Sequence, residues 1–165
     1  MASVYLGLGT NLGDRAANLR TALAALSQLG QVARLSRVYE TAPLYVTDQP
    51  AFLNMAACLE TALAPQALLG RLKVLEDELG RVASRRYGPR LIDLDILLHG
   101  DNIVDLPQLS IPHPRLTERR FALAPLADLA ADVIHPVAGL TIAQLLAALP
   151  ADDDDQVIVV DNALI

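Results

Sequence analysis

The chain has one cysteine, Cys58, and no tryptophan. A lone thiol inside an apolar segment excludes a disulfide framework and a cysteine metal cluster, and reads as a buried structural side chain. Only two Phe and four Tyr are present, too few for a base-stacking platform. Acidic residues outnumber basic ones, 19 to 13, for a net charge of −6, which argues against general nucleic-acid binding. No uninterrupted apolar run reaches the roughly 18 residues of a membrane span. The stretch from Met1 to Gly9 lacks a basic segment and reads as a strand, not a signal peptide. We therefore expect a cytoplasmic chain with neither nucleic-acid nor membrane partners.

What is present is a large apolar share, 53% of 165 residues, enough for the core of one domain spanning 1–165. No internal repeat or low-complexity linker divides it. Residues 3–8 read as a strand, followed by a glycine-rich turn in which Asp14 can cap a helix. Leu19, Leu23, Leu26 and Leu29 recur at helical spacing up to Gly30. The Gly7-x-Gly9 pair is not a dinucleotide fingerprint, because the third glycine is misplaced and no ribose-binding acid follows in register. A second strand is expected over 31–39, a two-proline loop over 40–50 and a third strand over 52–61. Pro65 opens a helix carrying Leu68, Leu69, Leu72, Leu75 and Leu79, closed by Gly80. An arginine-rich loop over 81–90 leads to a strand over 91–99. A short returning strand at 103–104, helices over 116–130 and 141–149, an acidic turn at Asp152–Asp155 and a last strand over 156–160 complete the chain. The order β-α-β-β-α-β plus a C-terminal extension predicts an α+β, ferredoxin-like fold with an antiparallel sheet.

The most informative segment is Leu91-Ile92-Asp93-Leu94-Asp95-Ile96-Leu97-Leu98. On a strand, positions i and i+2 point the same way, about 6.5 Å apart. Asp93 and Asp95 therefore share one face while Ile92, Leu94 and Ile96 bury the other. Two adjacent like charges are costly unless a cation, a proton or water offsets them, and Mg²⁺ suits an oxygen-only site. Seven of the 13 basic residues, Arg81, Arg85, Arg86, Arg90, Arg115, Arg119 and Arg120, fall close by in sequence. Carboxylates that hold metal, flanked by guanidinium groups, suit a polyphosphate. By spacing alone, the same residues also fit a solvated strand face beside a charged loop. Two further readings stay open: a non-catalytic ligand sensor of this fold, and a two-metal phosphodiesterase or nucleotidyl transferase.

Several motifs line up with one known family. They are Gly9-Thr10-Asn11-Leu12-Gly13-Asp14-Arg15, Tyr39-Glu40-Thr41-Ala42-Pro43-Leu44, and Asp48-Gln49-Pro50-Ala51-Phe52-Leu53-Asn54. Glu76 and Gly80-Arg81 follow, then Arg86-Tyr87-Gly88-Pro89-Arg90-Leu91-Ile92-Asp93-Leu94-Asp95-Ile96, and finally Ile111-Pro112-His113-Pro114 with Arg119 and Phe121. From residue 3 to about 135 the chain resembles the 6-hydroxymethyl-7,8-dihydropterin pyrophosphokinases of folate biosynthesis. The combination Gly-Pro-Arg-x-x-Asp-x-Asp with Pro-His-Pro carries most of that resemblance.

The resemblance implies an enzyme, acting as a monomer, that passes the β,γ-diphosphate of ATP to the hydroxymethyl oxygen of the pterin and releases AMP. It implies that Asp93 and Asp95 hold two Mg²⁺ ions, and that Arg81 and Arg90 serve the transferred phosphates. It places Glu76, Arg86, Tyr87, Ile96, Ser110, His113 and Arg119 at the ATP. It places Thr41, Ala42, Leu44, Phe52, Asn54 and Phe121 at the pterin. Tyr87 stands where many members have Trp, Gln108 where some have Arg, and Lys73 where some have a polar amide. The arginine loop is one residue shorter than in some relatives, around 82–85. Two Mg²⁺ ions would suit transfer to a hydroxyl, which demands positioning and charge neutralisation more than covalent chemistry. The loops 40–50 and 81–90 flank the expected site and are expected to close over it.

Overall fold

The computed structural model describes residues 1–43, 48–80, 91–151 and 157–160. The elements follow in the order β1 (Ala2–Thr10), α1 (Arg15–Leu26), β2 (Gln31–Leu35), β3 (Tyr39–Thr41), β4 (Phe52–Thr61) and α2 (Pro65–Glu78). Then come β5 (Asp93–His99), β6 (Val104–Leu106), β7 (Leu109–Ile111), a 3-10 turn at Leu116–Glu118, α3 (Arg120–Ala130), α4 (Ile142–Ala148) and β8 (Val157–Val159). β4 organises the sheet. It pairs antiparallel with β1 from Ala2↔Thr61 to Thr10↔Leu53. Its other edge is shared by β2, against residues 57–60, and β3, against residues 52–54. β5 pairs antiparallel with β1, giving the order β5-β1-β4-β3-β8 with β2 beside β4. The two central strands are thus the first and third of the β-α-β-β-α-β unit, the ferredoxin-like arrangement expected from the element order.

The helix boundaries follow from local chemistry. Asp14 caps α1 by accepting from the Ala17 amide at 3.1 Å. Pro65 starts α2 where its missing N–H costs nothing. Gly80 follows with φ of 85°, a left-handed conformation that ends the helix without a Cβ clash. Leu19, Ala22 and Leu26 of α1 and Leu68, Leu72 and Leu75 of α2 pack on one face of the sheet against Leu6, Leu8, Met55, Leu59, Ile92 and Leu94. On the other face α3 and α4 bury Leu123, Leu126, Ile142 and Leu145 against Tyr5, Ala56, Cys58, Leu97 and Leu98. Cys58 is a buried free thiol, as expected.

Four expectations need correction. The strand expected over 31–39 is two strands, because Ser36 interrupts it. Its Oγ accepts from the Ala56 amide at 2.7 Å, and its own amide donates to the Ala56 carbonyl at 2.9 Å. The stretch expected as loop from residue 40 begins inside β3. The returning strand expected at 103–104 runs over Val104–Leu106 and pairs with β7 in a separate two-stranded sheet. The helix expected from 116 starts as a 3-10 turn and becomes α-helical only at Arg120. The acidic run Asp152–Asp155 lies outside the described residues.

Candidate active site

The pleat of β5 places Asp93 and Asp95 on the face toward α3, and Ile92, Leu94 and Ile96 in the core beneath α1 and α2. A bulge then changes the phase. β1 advances one residue, from Leu6 to Tyr5, while β5 advances two, from Ile96 to Leu98. Leu97 and Leu98 consequently both join the core under α3 and α4. The apolar packing on this face therefore begins at Leu97, two residues beyond Asp95, and the carboxylates sit at its border.

Across from each carboxylate is a glycine, with Gly9 pairing Asp93 and Gly7 pairing Asp95. The row continues through Gly9 to Asn54 on β4 and Tyr39 on β3. One step further, Phe52 pairs with Thr41. A glycine-floored trough, two strand spacings or about 10 Å across, thus lies between the acid pair and the Asn54–Phe52–Thr41 strip, with the Leu97 side chain against Gly7 and the Phe52 ring beside Gly9. Asn54 leans over its floor: a Cβ on Gly9 would lie 2.9 Å from the Asn54 Oδ1. Asn54 is itself buried and donates from Nδ2 to the Thr41 Oγ1 at 2.6 Å. Neither the absent dinucleotide fingerprint nor the motif that begins at Gly9 gives the two glycines this role. Their x-Gly-x-Gly alternation was the available signal, since it puts both on one strand face.

The electrostatics of the acid pair are strained. Burial, then Asp93, then Glu76 push the Asp95 carboxyl up to about 7, against opposing pulls from Arg119 and Lys73. Glu76 is buried, accepts from the Leu94 amide at 3.0 Å and sits 3.7 Å from the Lys73 ammonium. It thereby holds the start of β5 in place. Among the described residues no group of three or more His, Cys, Asp or Glu side chains gathers as a metal cage. Ions held by Asp93 and Asp95 would take phosphate oxygens and water as their remaining ligands, the usual habit of nucleotide-bound Mg²⁺. The donor set fits such an ion: two hard oxygens on a rigid strand, in a place where negative charge is under-compensated.

His113, Arg119 and Phe121 arrive from the segment after β7. His113 is anchored by its amide, which donates to the Leu97 carbonyl at 3.0 Å, and its Nδ1 accepts from the Arg115 amide at 3.2 Å. That bond leaves the ring proton on Nε2. Burial first, then Arg119 and Arg115, lower its pKa to about 4, with Asp93 pulling the other way, so it is neutral at neutral pH. Arg119 lies with its guanidinium carbon 5.3 Å from the centre of the Phe121 ring, and its charge acts on both Asp95 and His113.

Of the expected site residues, the structure gathers Asp93, Asp95, His113 and Arg119 around the acid pair, and Thr41, Phe52 and Asn54 on one strip of the same sheet face. Phe121 is the second residue of α3, with its ring against the Arg119 guanidinium. Ser110 is half-buried in β7, where it pairs with Asp105, and Ala42 is exposed just past β3. The Ile96 side chain is turned into the opposite core, so only its backbone could meet a nucleotide. Leu44, Arg81, Arg86, Tyr87 and Arg90 lie outside the described residues, as do Arg85 and the 82–85 stretch.

The chain matches the family model described as 7,8-dihydro-6-hydroxymethylpterin-pyrophosphokinase (HPPK) over residues 5–131. It is 45% identical over 149 residues to the 2-amino-4-hydroxy-6-hydroxymethyldihydropteridine pyrophosphokinase of Pseudomonas aeruginosa, covering 89% of this chain and 91% of that protein. It is 46% identical over 142 residues to the folic acid synthesis protein fol1 of Pneumocystis carinii. That match covers 86% of this chain but only 19% of the longer fungal protein. The fold is similar to wild-type HPPK-DHPS of Plasmodium falciparum, with a TM-score of 0.70 at 19% identity over 88% of this chain and 44% of that one. The chain belongs to the 7,8-dihydro-6-hydroxymethylpterin-pyrophosphokinase family.

Proposed function

We propose that this chain transfers the β,γ-diphosphate of ATP to the hydroxymethyl oxygen of 6-hydroxymethyl-7,8-dihydropterin, in folate synthesis. The carrying observation is the juxtaposition of the Asp93–Asp95 pair and the Asn54–Phe52–Thr41 strip across a floor made of Gly7 and Gly9. A flat bicyclic ring with an amide edge suits that strip. Phe52 and Phe121 offer ring faces, and Asn54 with Thr41 offers a preorganised polar edge. A substituent on the ring could then extend along the trough to the carboxylates.

In the reaction the hydroxymethyl oxygen attacks the β-phosphorus and the bond from that phosphorus to the α,β-bridging oxygen breaks. AMP leaves with the bridging oxygen, and the hydroxyl proton goes to solvent. Asp93 and Asp95 would hold Mg²⁺, two ions by the family reading, which neutralises charge on the phosphate oxygens when bound. Asp95 must be ionised for this, which burial and the neighbouring Asp93 and Glu76 oppose in the ligand-free protein and a bound cation would favour. Arg119 contributes a fixed positive charge beside the pair. Neutral His113 presents an N–H donor rather than a cation, suited to a phosphate or ribose oxygen. Glu76 keeps the start of β5, and with it Asp93 and Asp95, in position. In this reading Arg81, Arg86 and Arg90 bind the phosphates, Tyr87, Ser110 and the Ile96 backbone contact the nucleotide, and Ala42 and Leu44 line the pterin pocket. It also takes residues 1–165 as one functional unit, a monomer acting in the cytoplasm, which gel filtration and fractionation would check.

The test is product analysis with ATP, Mg²⁺ and the pterin. AMP and pterin diphosphate should appear in equal amounts. Release of ADP with a pterin monophosphate, or of free pyrophosphate, would refute the reading.

A further inference from the structure

One guanidinium grips two chain segments at the rim of the Asn54–Phe52–Thr41 strip. Arg15 is the first residue of α1. Its Nη1 donates to the Ala51 carbonyl at 2.9 Å, and its Nη2 lies 2.9 Å from the Glu40 Oε2. Glu40 immediately precedes Thr41, and Ala51 immediately precedes Phe52. Thr41 and Phe52 face each other in register across β3 and β4. The fork therefore ties the residues just before both members of that pair to the start of α1. The two contacts span 36 and 25 residues of sequence.

The turn before α1 reinforces the same grip. Asn11, 1% exposed, donates from Nδ2 to the Gln49 Oε1 at 2.8 Å and to the Pro50 carbonyl at 3.0 Å. Asn18 of α1 donates to the Thr10 Oγ1 at 3.1 Å and the Leu12 carbonyl at 2.8 Å, fixing that turn to the helix. The turn begins two residues after Gly9, the glycine under Asn54. Meanwhile the Arg15 and Glu40 side chains keep 31% and 40% of their exposure, so the apolar core does not depend on them.

We propose that Arg15 is a positioning residue for the pterin. Its forked side chain holds Thr41 and Phe52 in the arrangement the ring requires, without touching the substrate. A planar guanidinium can bond a carboxylate and a carbonyl at once from fixed directions, whereas an ammonium offers one point charge on a flexible stem. The inference rests on the proposed pterin reaction, and the experiment separates the two.

The variants are Arg15→Ala, Arg15→Lys and Glu40→Gln, each assayed for pterin and ATP KM, kcat and melting temperature. Exchange of the amides at 40–42 and 51–53 is followed by NMR without ligand. For Arg15→Ala we expect pterin KM to rise about tenfold or more, the scale of two lost charge-assisted bonds. ATP KM should stay within about twofold, and exchange at 40–42 and 51–53 should quicken while that of Leu59 does not. Arg15→Lys should recover part of the loss, and Glu40→Gln should fall between it and wild type. Unchanged pterin KM with unchanged exchange would overturn the proposal. So would a parallel rise in both KM values that tracks a lowered melting temperature, since that is general destabilisation. If the wild-type protein makes no pterin diphosphate, the enzymatic reading fails, and the exchange data still decide whether Arg15 orders the strip.

Discussion

The two faces of the sheet are built from alternate residues of the same strands, yet they do different work. Toward α1 and α2 the strands present Leu6, Leu8, Met55, Leu59, Ile92 and Leu94, all buried. Toward α3 and α4 the corresponding positions are Tyr5, Ala56, Cys58, Leu97 and Leu98 at one end, but Gly7, Gly9, Asn54, Asp93 and Asp95 at the other. The first face is packed along its whole length, with only the buried Thr10 and Thr61 adding hydrogen bonds at the strand ends. The second stops packing halfway along, and the proposed chemistry occupies what is left. A site built on strands already locked from behind needs little ordering of its own, the condition for holding charged groups near reacting atoms.

The largest expected effect comes from cutting the polar end. Asp95→Ala should lower kcat by about a thousandfold or more, on the scale of losing a main source of transition-state charge stabilisation. Its far-UV circular dichroism should be unchanged. Turnover within a few-fold of wild type would break the contrast between the faces. The mirror experiment is Leu72→Ala on the packed face. It should cost about 2–5 kcal/mol of stability, read from urea denaturation, while turnover per folded molecule stays near wild type.

The polar end also works against the fold. Asp95 has its carboxyl pushed up to about 7, so between its ordinary range near 4 and pH 7 the native state binds more protons than the unfolded one. Its contribution to stability is therefore present at low pH and lost as pH rises through about 7. Asp95→Asn should flatten that pH slope and stabilise the ligand-free protein at pH 8 by on the order of 2 kcal/mol, while abolishing turnover. No gain in stability would mean that the acid pair carries no strain. The smallest effect is expected from Gly9→Ala. The new methyl meets the Asn54 Oδ1 at 2.9 Å, so pterin KM should rise by about tenfold, the scale of one displaced hydrogen-bonding group, with ATP KM little changed. Comparable shifts in both constants would place Gly9 outside the pterin strip.

The packed face was readable in the sequence because it obeys one period. Leu19, Leu26, Leu68, Leu72 and Leu75 recur at helical spacing, and Ile92, Leu94 and Ile96 alternate. The acid pair was readable for the same reason, since i and i+2 on a strand admit one geometry. The hidden features depend on contacts between distant residues. Nothing local marks Ser36 as the break between β2 and β3, because the break is made by the Ala56 backbone on another strand. The bulge that returns Leu98 to the face of Leu97 appears only when β5 is paired with β1. β6 and β7 look like ordinary short strands, and only the three-dimensional arrangement sets them apart from the main sheet. The fork of Arg15 joins three segments whose proximity the sequence does not reveal.

The central claim is that Asp93 and Asp95 together hold the divalent ions that accompany the nucleotide. Counting Mn²⁺ by electron paramagnetic resonance, with a nonhydrolysable ATP analogue and the pterin present, tests it most directly. Two tightly bound ions are expected per wild-type molecule, with at least one lost in Asp95→Asn. The same number of ions, bound equally tightly, in both proteins would contradict it.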